Sequence, residues 1–144
     1  MSHSLNKLCI HAIWSTKDRM PLIHENVEHK IHEYLRTQLQ ELNCPVRIIN
    51  GIPDHIHCLF YLTPQLSLED VLKQIKGSSS HYINQNDIIP EKFAWQTGYA
   101  AFSVDNSDSE KVFQYIKNQK QHHKTVSFGQ ELEAFLKIHG LKPD

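Results

Sequence analysis

The chain has 144 residues, enough for one compact domain with an ordinary apolar core. It is 40% apolar and 22% charged and contains no long apolar run, which excludes a membrane-spanning segment and fits a soluble globular protein. A net charge of −1 excludes a generally basic nucleic-acid binder, so any such binding must come from local patches.

Residues 5–15, LNKLCIHAIWS, read as a strand. Val27, Ile31, Tyr34, Leu35, Leu39 and Leu42 recur at spacings of three and four, which predicts a helix over 24–42, ended by Asn43 and Pro45. VRIIN (46–50) is a short strand, Gly51–Asp54 a turn, and HIHCLFYL (55–62) the next strand. Ser67 caps a helix whose buried side is Leu68, Val71, Leu72, Ile75 and Tyr82. Gly77–Ser80 are poor helix formers and predict a kink or a close approach there. Residues 85–92 form a loop, and FAWQTGYAAFSV (93–104) a strand with Gly98 as a bulge. Ser107 and Glu110 suggest a capping box opening a helix over 108–123. A last helix runs over 128–139, capped by Ser127 with Gln130 and stopped by Gly140.

The order β-α-β-β-α-β, then two helices, predicts an α+β ferredoxin-like (RRM-like) split βαβ sheet with additional C-terminal helices, a single domain over 1–144. Its first and third strands sit centrally. Ile56, Cys58 and Phe60 suit the helix-covered face, and His55, His57, Leu59 and Tyr61 the other. RNA-recognition domains receive single strands on such open faces.

Three cysteines without a CxxC pair (Cys9, Cys44, Cys58) indicate neither a disulfide framework nor a cysteine zinc site. Cys44 and Cys58 read as small apolar fillers. The opening residues lack the pattern of a signal peptide, and a cytoplasmic protein is expected. Lys111–Lys124 holds four lysines, His122 and His123, and no acid, a basic stripe on one element. Eleven histidines is a high count for this length.

His55 and His57 point the same way from one strand, about 6–7 Å apart at Cα. Two imidazoles are half of a divalent-metal site, or else a satisfied structural pair. Tyr115 and Gln119, four apart, share one helical face. An amide oxygen suits Mg²⁺ or Mn²⁺, and a phenol is a nucleophile once its proton is dealt with. A cation held by His55, His57 and Gln119 could activate a phosphodiester for attack by Tyr115. Taken singly, Tyr115 also fits a buried stripe with Val112 and Ile116, and Gln119 a solvated position.

H-hydrophobic-H on a strand followed by Y-x-x-x-Q on a helix resembles the one-tyrosine HUH transposases of small insertion sequences that move as single-stranded DNA. Their relatives associated with repetitive extragenic palindromes are included. The blocks IWSTKDRMPLI, GIPDHIHCLF, IKGSSSHYIN, WQTGYAAFSV and YIKNQKQHH carry the resemblance in family order across nearly the whole chain. It implies that His55, His57 and Gln119 hold Mg²⁺ or Mn²⁺ and that Tyr115 is the nucleophile. It further implies a homodimer that recognises hairpins at element ends and cleaves single strands to a 5′-phosphotyrosine and a free 3′-OH. Lys73, Lys76, Lys117, Lys120 and Lys124 are candidate DNA contacts, and His122 and His123 are phosphate contacts or plain surface residues. The alternative is a catalytically inactive or domesticated hairpin-binding relative. A two-histidine phosphoesterase would need a separated pair of H-x-T/S motifs, a zinc hydrolase a HExxH or Cys/His cluster, and an RNA-binding domain the RNP1 aromatics; the chain carries no such pair, cluster or aromatic pattern.

Overall fold

Antiparallel pairing of four strands builds one sheet in the computed structural model, which describes residues 6–138 and 141. The strands are β1 (Leu8–Ser15), β2 (Val46–Ile52), β3 (His55–Leu62) and β4 (Ala100–Ser103), in the spatial order β2-β3-β1-β4. β1 and β3 are central and pair from Leu8 opposite Leu62 to Ser15 opposite His55. Helices α1 (Glu25–Glu41) and α2 (Leu68–Gln85) cover one face; α3 (Ser109–Lys117), the single-turn α4 (Gln119–His122) and α5 (Phe128–Ile138) lie on the other. This is the split βαβ arrangement that the element order predicts. Among the described residues no helix is long and apolar enough to cross a membrane.

The alternation of β3 sorts the molecule into two interiors. Ile56, Cys58 and Phe60 join Ile31, Leu35 and Leu39 of α1 and Val71, Leu72 and Ile75 of α2 in the main apolar core. Burial there is the chief stabilising force, about 25 cal/mol per Å² of apolar surface removed from water. Local signals set the ends of these elements. Asn43 takes the left-handed conformation (φ 61°) after α1, with the Cys44 N–H donating to Leu39 O and the Asn43 N–H to Gln40 O, a Schellman stop. Ser67 Oγ accepts from the Asp70 N–H at the start of α2. Ser127 and Gln130 form the reciprocal capping box of α5, at 2.9 and 3.2 Å. All three cysteines are free and buried.

Several elements differ from the sequence reading. β2 runs two residues further than 46–50, and the turn shrinks to Pro53-Asp54. Gly51 pairs with Ile56 in that strand, at a position that takes no side chain because a Cβ would collide with the His55 carbonyl. α2 continues through Gly77–Ser80 without a kink: each serine hydroxyl donates to the carbonyl three residues back, and a Cβ on Gly77 would meet nothing within 4 Å. Only Ala100–Ser103 of the predicted strand 93–104 pairs as a ladder. Phe93 and Trp95 are core residues of a crossing segment, which touches the sheet at the Trp95–Thr16 bridge. Gly98 (φ 89°) turns the chain before the ladder begins, so it is no bulge. The helix predicted over 108–123 divides at Asn118, where Asn50 Nδ2 of β2 donates to the carbonyls of Ile116 and Lys117 and closes α3. Its capping box is absent: Asp108 is the N-cap, without a side-chain bond, and Glu110 turns to Arg47 and Gln114. Leu5 and Gly140, predicted at element ends, lie outside the described residues.

Candidate active site

β3 presents His55 and His57 on the face opposite the main core, their ring centroids 5.0 Å apart and both fully buried. Each has its Nδ1 fixed. His55 Nδ1 is 2.8 Å from Asp54 Oδ1, and His57 Nδ1 is 2.8 Å from His11 Nε2 of β1. α3 is clamped on β2 by Arg47, the residue left over at a register shift between Val46 and Ile48. Its guanidinium donates to Ser109 Oγ and lies over the Phe113 ring. That clamp places Tyr115 with its ring 5.9 Å from His57. The turn at Asn118 then brings Gln119 Oε1 to 3.2 Å from His55 Nε2. The four residues singled out by sequence therefore lie in one cluster.

Glu131 of α5 sits at its centre. Oε1 lies 3.0 Å from His57 Nε2, 3.3 Å from His55 Nε2 and 3.1 Å from His123 Nε2. Oε2 accepts from Tyr115 OH and, at 2.9 Å, from Gln119 Nε2. Phe128, one helical turn earlier, stacks on His55 with ring centroids 4.0 Å apart, so α5 roofs the site. Tyr115 also faces a cleft of 550 Å³ lined by Lys111, Gln114, Asn118, Gln121 and His122.

The Asp54 carboxylate only accepts, so His55 Nδ1 carries the proton and a neutral His55 has a bare Nε2. Because Gln119 Nε2 donates to Glu131, its Oε1 is the atom aimed at His55. His55 Nε2 and Gln119 Oε1 thus face each other as two acceptors, with Glu131 Oε1 beside them, and only a proton on His55 or a cation balances that pair. Imidazole held by a carboxylate on its far nitrogen is the usual support of a metal-binding histidine. His55, His57, His123 and Glu131 offer atoms within 4.8 Å of one another and could hold a metal ion. The residues fit.

The electrostatics follow from this crowding. Burial opposes charge on His55, but the Asp54 and Glu131 carboxylates outweigh it and raise its pKa. Burial holds His57 down at about 4, so it is a neutral donor. Burial also works against the charge of Glu131, yet the bonds to His55 and His57 prevail and keep it ionised. The Tyr115 phenol is pushed well up by burial and by the adjacent Glu131 carboxylate, so it rests protonated.

Of the candidate DNA lysines, Lys73, Lys117, Lys120 and Lys124 are exposed. Lys76 donates to the carbonyls of Gln96 and Gly98, and Lys120 to Asn50 while pairing with Glu28 at 3.1 Å, so both already serve protein contacts. Sequence reasoning missed Glu131 and His11 and read His123 as a surface or phosphate residue. Glu131 left one signal, an acid set between Phe128, Leu132 and Phe135 on the apolar stripe of α5.

A family profile described as "Transposase IS200 like" matches residues 4–119. The chain belongs to the IS200-like transposases. It is 25% identical over 114 residues to the ISDra2 transposase TnpA of Deinococcus radiodurans, covering 76% of this chain and 81% of that one. A crystal structure of a transposase from Deinococcus radiodurans superposes with a TM-score of 0.66 at 25% identity, covering 83% of this chain and 95% of its own. The structure of a REP-associated tyrosine transposase bound to a REP hairpin shares the fold, with a TM-score of 0.64 at 14% identity, over 99% of this chain and 89% of its own. Within this transposase the matched segment stops at Gln119, so His123 and Glu131 lie outside it.

Proposed function

We propose that this IS200-like transposase is a metal-assisted single-strand DNA endonuclease and strand transferase, acting as a single domain, with Tyr115 as nucleophile. The observation that carries the reading is the meeting of the Tyr115 phenol with His55, His57 and Gln119 in one cluster of one chain. Mg²⁺ or Mn²⁺ held by His55, His57 and Gln119 would polarise a nonbridging oxygen of the scissile phosphate. Lys111 and His122 line the cleft through which a phosphate approaches the phenol. Tyr115 Oη bonds to phosphorus as the bond to the 3′ oxygen breaks, and the phenol proton ends on that departing oxygen. The products are a 5′-phosphotyrosine and a free 3′-OH. Attack by a 3′-OH reverses the step and joins strands; the number of phosphoester bonds is unchanged, so no nucleotide cofactor is needed.

The REP hairpin bound by the REP-associated transposase supports a hairpin-bearing DNA partner, which by the family resemblance is a single strand with hairpins at element ends. Exposed Lys73, Lys117 and Lys124 are the proposed phosphate contacts, with Lys76 and Lys120 secondary, and affinity is expected to fall with salt. The family resemblance implies a homodimer as the acting assembly. Wild type incubated with hairpin-bearing single-stranded DNA and Mn²⁺ is expected to give a slow-migrating covalent band on a denaturing gel, absent in Tyr115→Phe. Hairpin binding without a band across element-end substrates would favour the inactive, hairpin-binding alternative.

A further inference from the structure

Glu131 divides its carboxylate between two tasks. One oxygen faces three imidazole nitrogens at 3.0–3.3 Å; the other holds the Tyr115 phenol and the Gln119 amide. Donors about 2.1 Å from a shared cation are about 3.0 Å apart at right angles and about 3.4 Å apart at the tetrahedral angle. The Oε1 separations fall in that span, so the atom stands where a neighbouring ligand of one cation stands. His55, His57 and Gln119 supply only neutral donors, and a buried divalent ion among neutral groups lacks a compensating charge. Glu131 is the ionised group within reach of all three.

We propose that Glu131 is a further, charged ligand of the cation, and that through its second oxygen it is the positioning residue that ties the orientation of Tyr115 to the cation's presence. The proposal rests on the metal site in the functional reading above. It places one necessary group on α5, beyond the segment that the family profile matches. It also makes the link between cation and nucleophile internal to one chain, since Tyr115, Gln119 and Glu131 all belong to it.

The test uses the full chain and MnCl₂ or MgCl₂ alone, without DNA. Mn²⁺ affinity is measured by titration calorimetry for wild type, Glu131→Gln, Glu131→Asp and His57→Ala, each checked for folding by a thermal melt. Glu131→Gln is expected to weaken Mn²⁺ binding by about tenfold or more, with Glu131→Asp intermediate. Unchanged or tighter binding by folded Glu131→Gln overturns the proposal, because Glu131 would then be excluding the cation. Should that variant not fold, unchanged or tighter binding by Glu131→Asp overturns it in the same way. A loss on His57→Ala but not on Glu131→Gln overturns this inference alone, whereas a wild type that takes up no Mn²⁺ overturns the metal reading with it. In chains labelled with ¹³Cζ-tyrosine, Mg²⁺ is expected to move the Tyr115 signal, assigned by Tyr115→Phe, in wild type and not in Glu131→Gln. A signal that shifts equally in both removes the positioning role.

Discussion

The two faces of the sheet are built by the same strands and obey different rules. On one, Ile56, Cys58 and Phe60 meet α1 and α2 in an interior held by apolar burial. On the other, His55 and His57 meet α3, α4 and α5 around a buried carboxylate, and nearly every polar atom there has a partner. Volume governs the first face. Mutual satisfaction governs the second, because a buried polar group without its partner costs about 1–3 kcal/mol. β3 passes from one regime to the other at every residue, so its neighbours His57 and Cys58 share a backbone and little else.

The largest loss of stability is expected on the apolar side. Phe60 is fully buried in the main core. Phe60→Ala should lower unfolding free energy by about 4 kcal/mol in a denaturant titration. Covalent adduct formed per folded molecule should be unchanged, since the lost contacts face away from Tyr115. A parallel loss of adduct would mean that the faces are not separable.

A smaller stability effect is expected from the polar face, with a far larger effect on chemistry. His57→Ala strips His11 and Glu131 of a partner and should cost about 2 kcal/mol. Cleavage should vanish while gel-shift affinity for a hairpin is retained. Loss of binding in a folded variant would undo the division of labour between cation site and DNA contacts. Gln119→Ala removes one neutral donor and leaves the phenol in place, so adduct formation should need about tenfold more Mn²⁺. Failure of raised Mn²⁺ to restore it would assign Gln119 a role apart from the cation.

The same contrast explains what the sequence disclosed. Burial on one side leaves a periodic trace, so α1, α2 and the alternation of β3 were legible from spacing alone. His55, His57, Tyr115 and Gln119 were legible because paired imidazoles and an i,i+4 phenol and amide are chemically conspicuous. Phe93 and Trp95 misled for a physical reason: aromatics mark burial, and a crossing segment buries them as well as a strand does. The break at Asn118 depends on Asn50, which bonds to carbonyls 66 and 67 residues away and whose amide no local pattern announces. Glu131 was hidden because one acid in a first helical turn ordinarily reads as a complement to the helix dipole. Only the fold puts four side-chain nitrogens and a phenol around it.

The finest test concerns how firmly α5 is held over the polar face. It is anchored by Phe128 on His55, by Glu131 and by Phe135 against Tyr115, and its start is fixed by the Ser127–Gln130 capping box. Ser127→Ala removes one half of that box and should cost about 1 kcal/mol, about a fivefold rise in local opening. Native-state hydrogen exchange should show that rise in the amides of residues 131–136, with those of α1 and α2 unchanged, because both bonds of the cap lie between Ser127 and Gln130. An equal rise in α2 would show that the two interiors open as one unit. Protection lost in α5 alone would show that the element carrying Glu131 is the least firmly held wall of the site, and that the apolar face keeps the sheet intact beneath it.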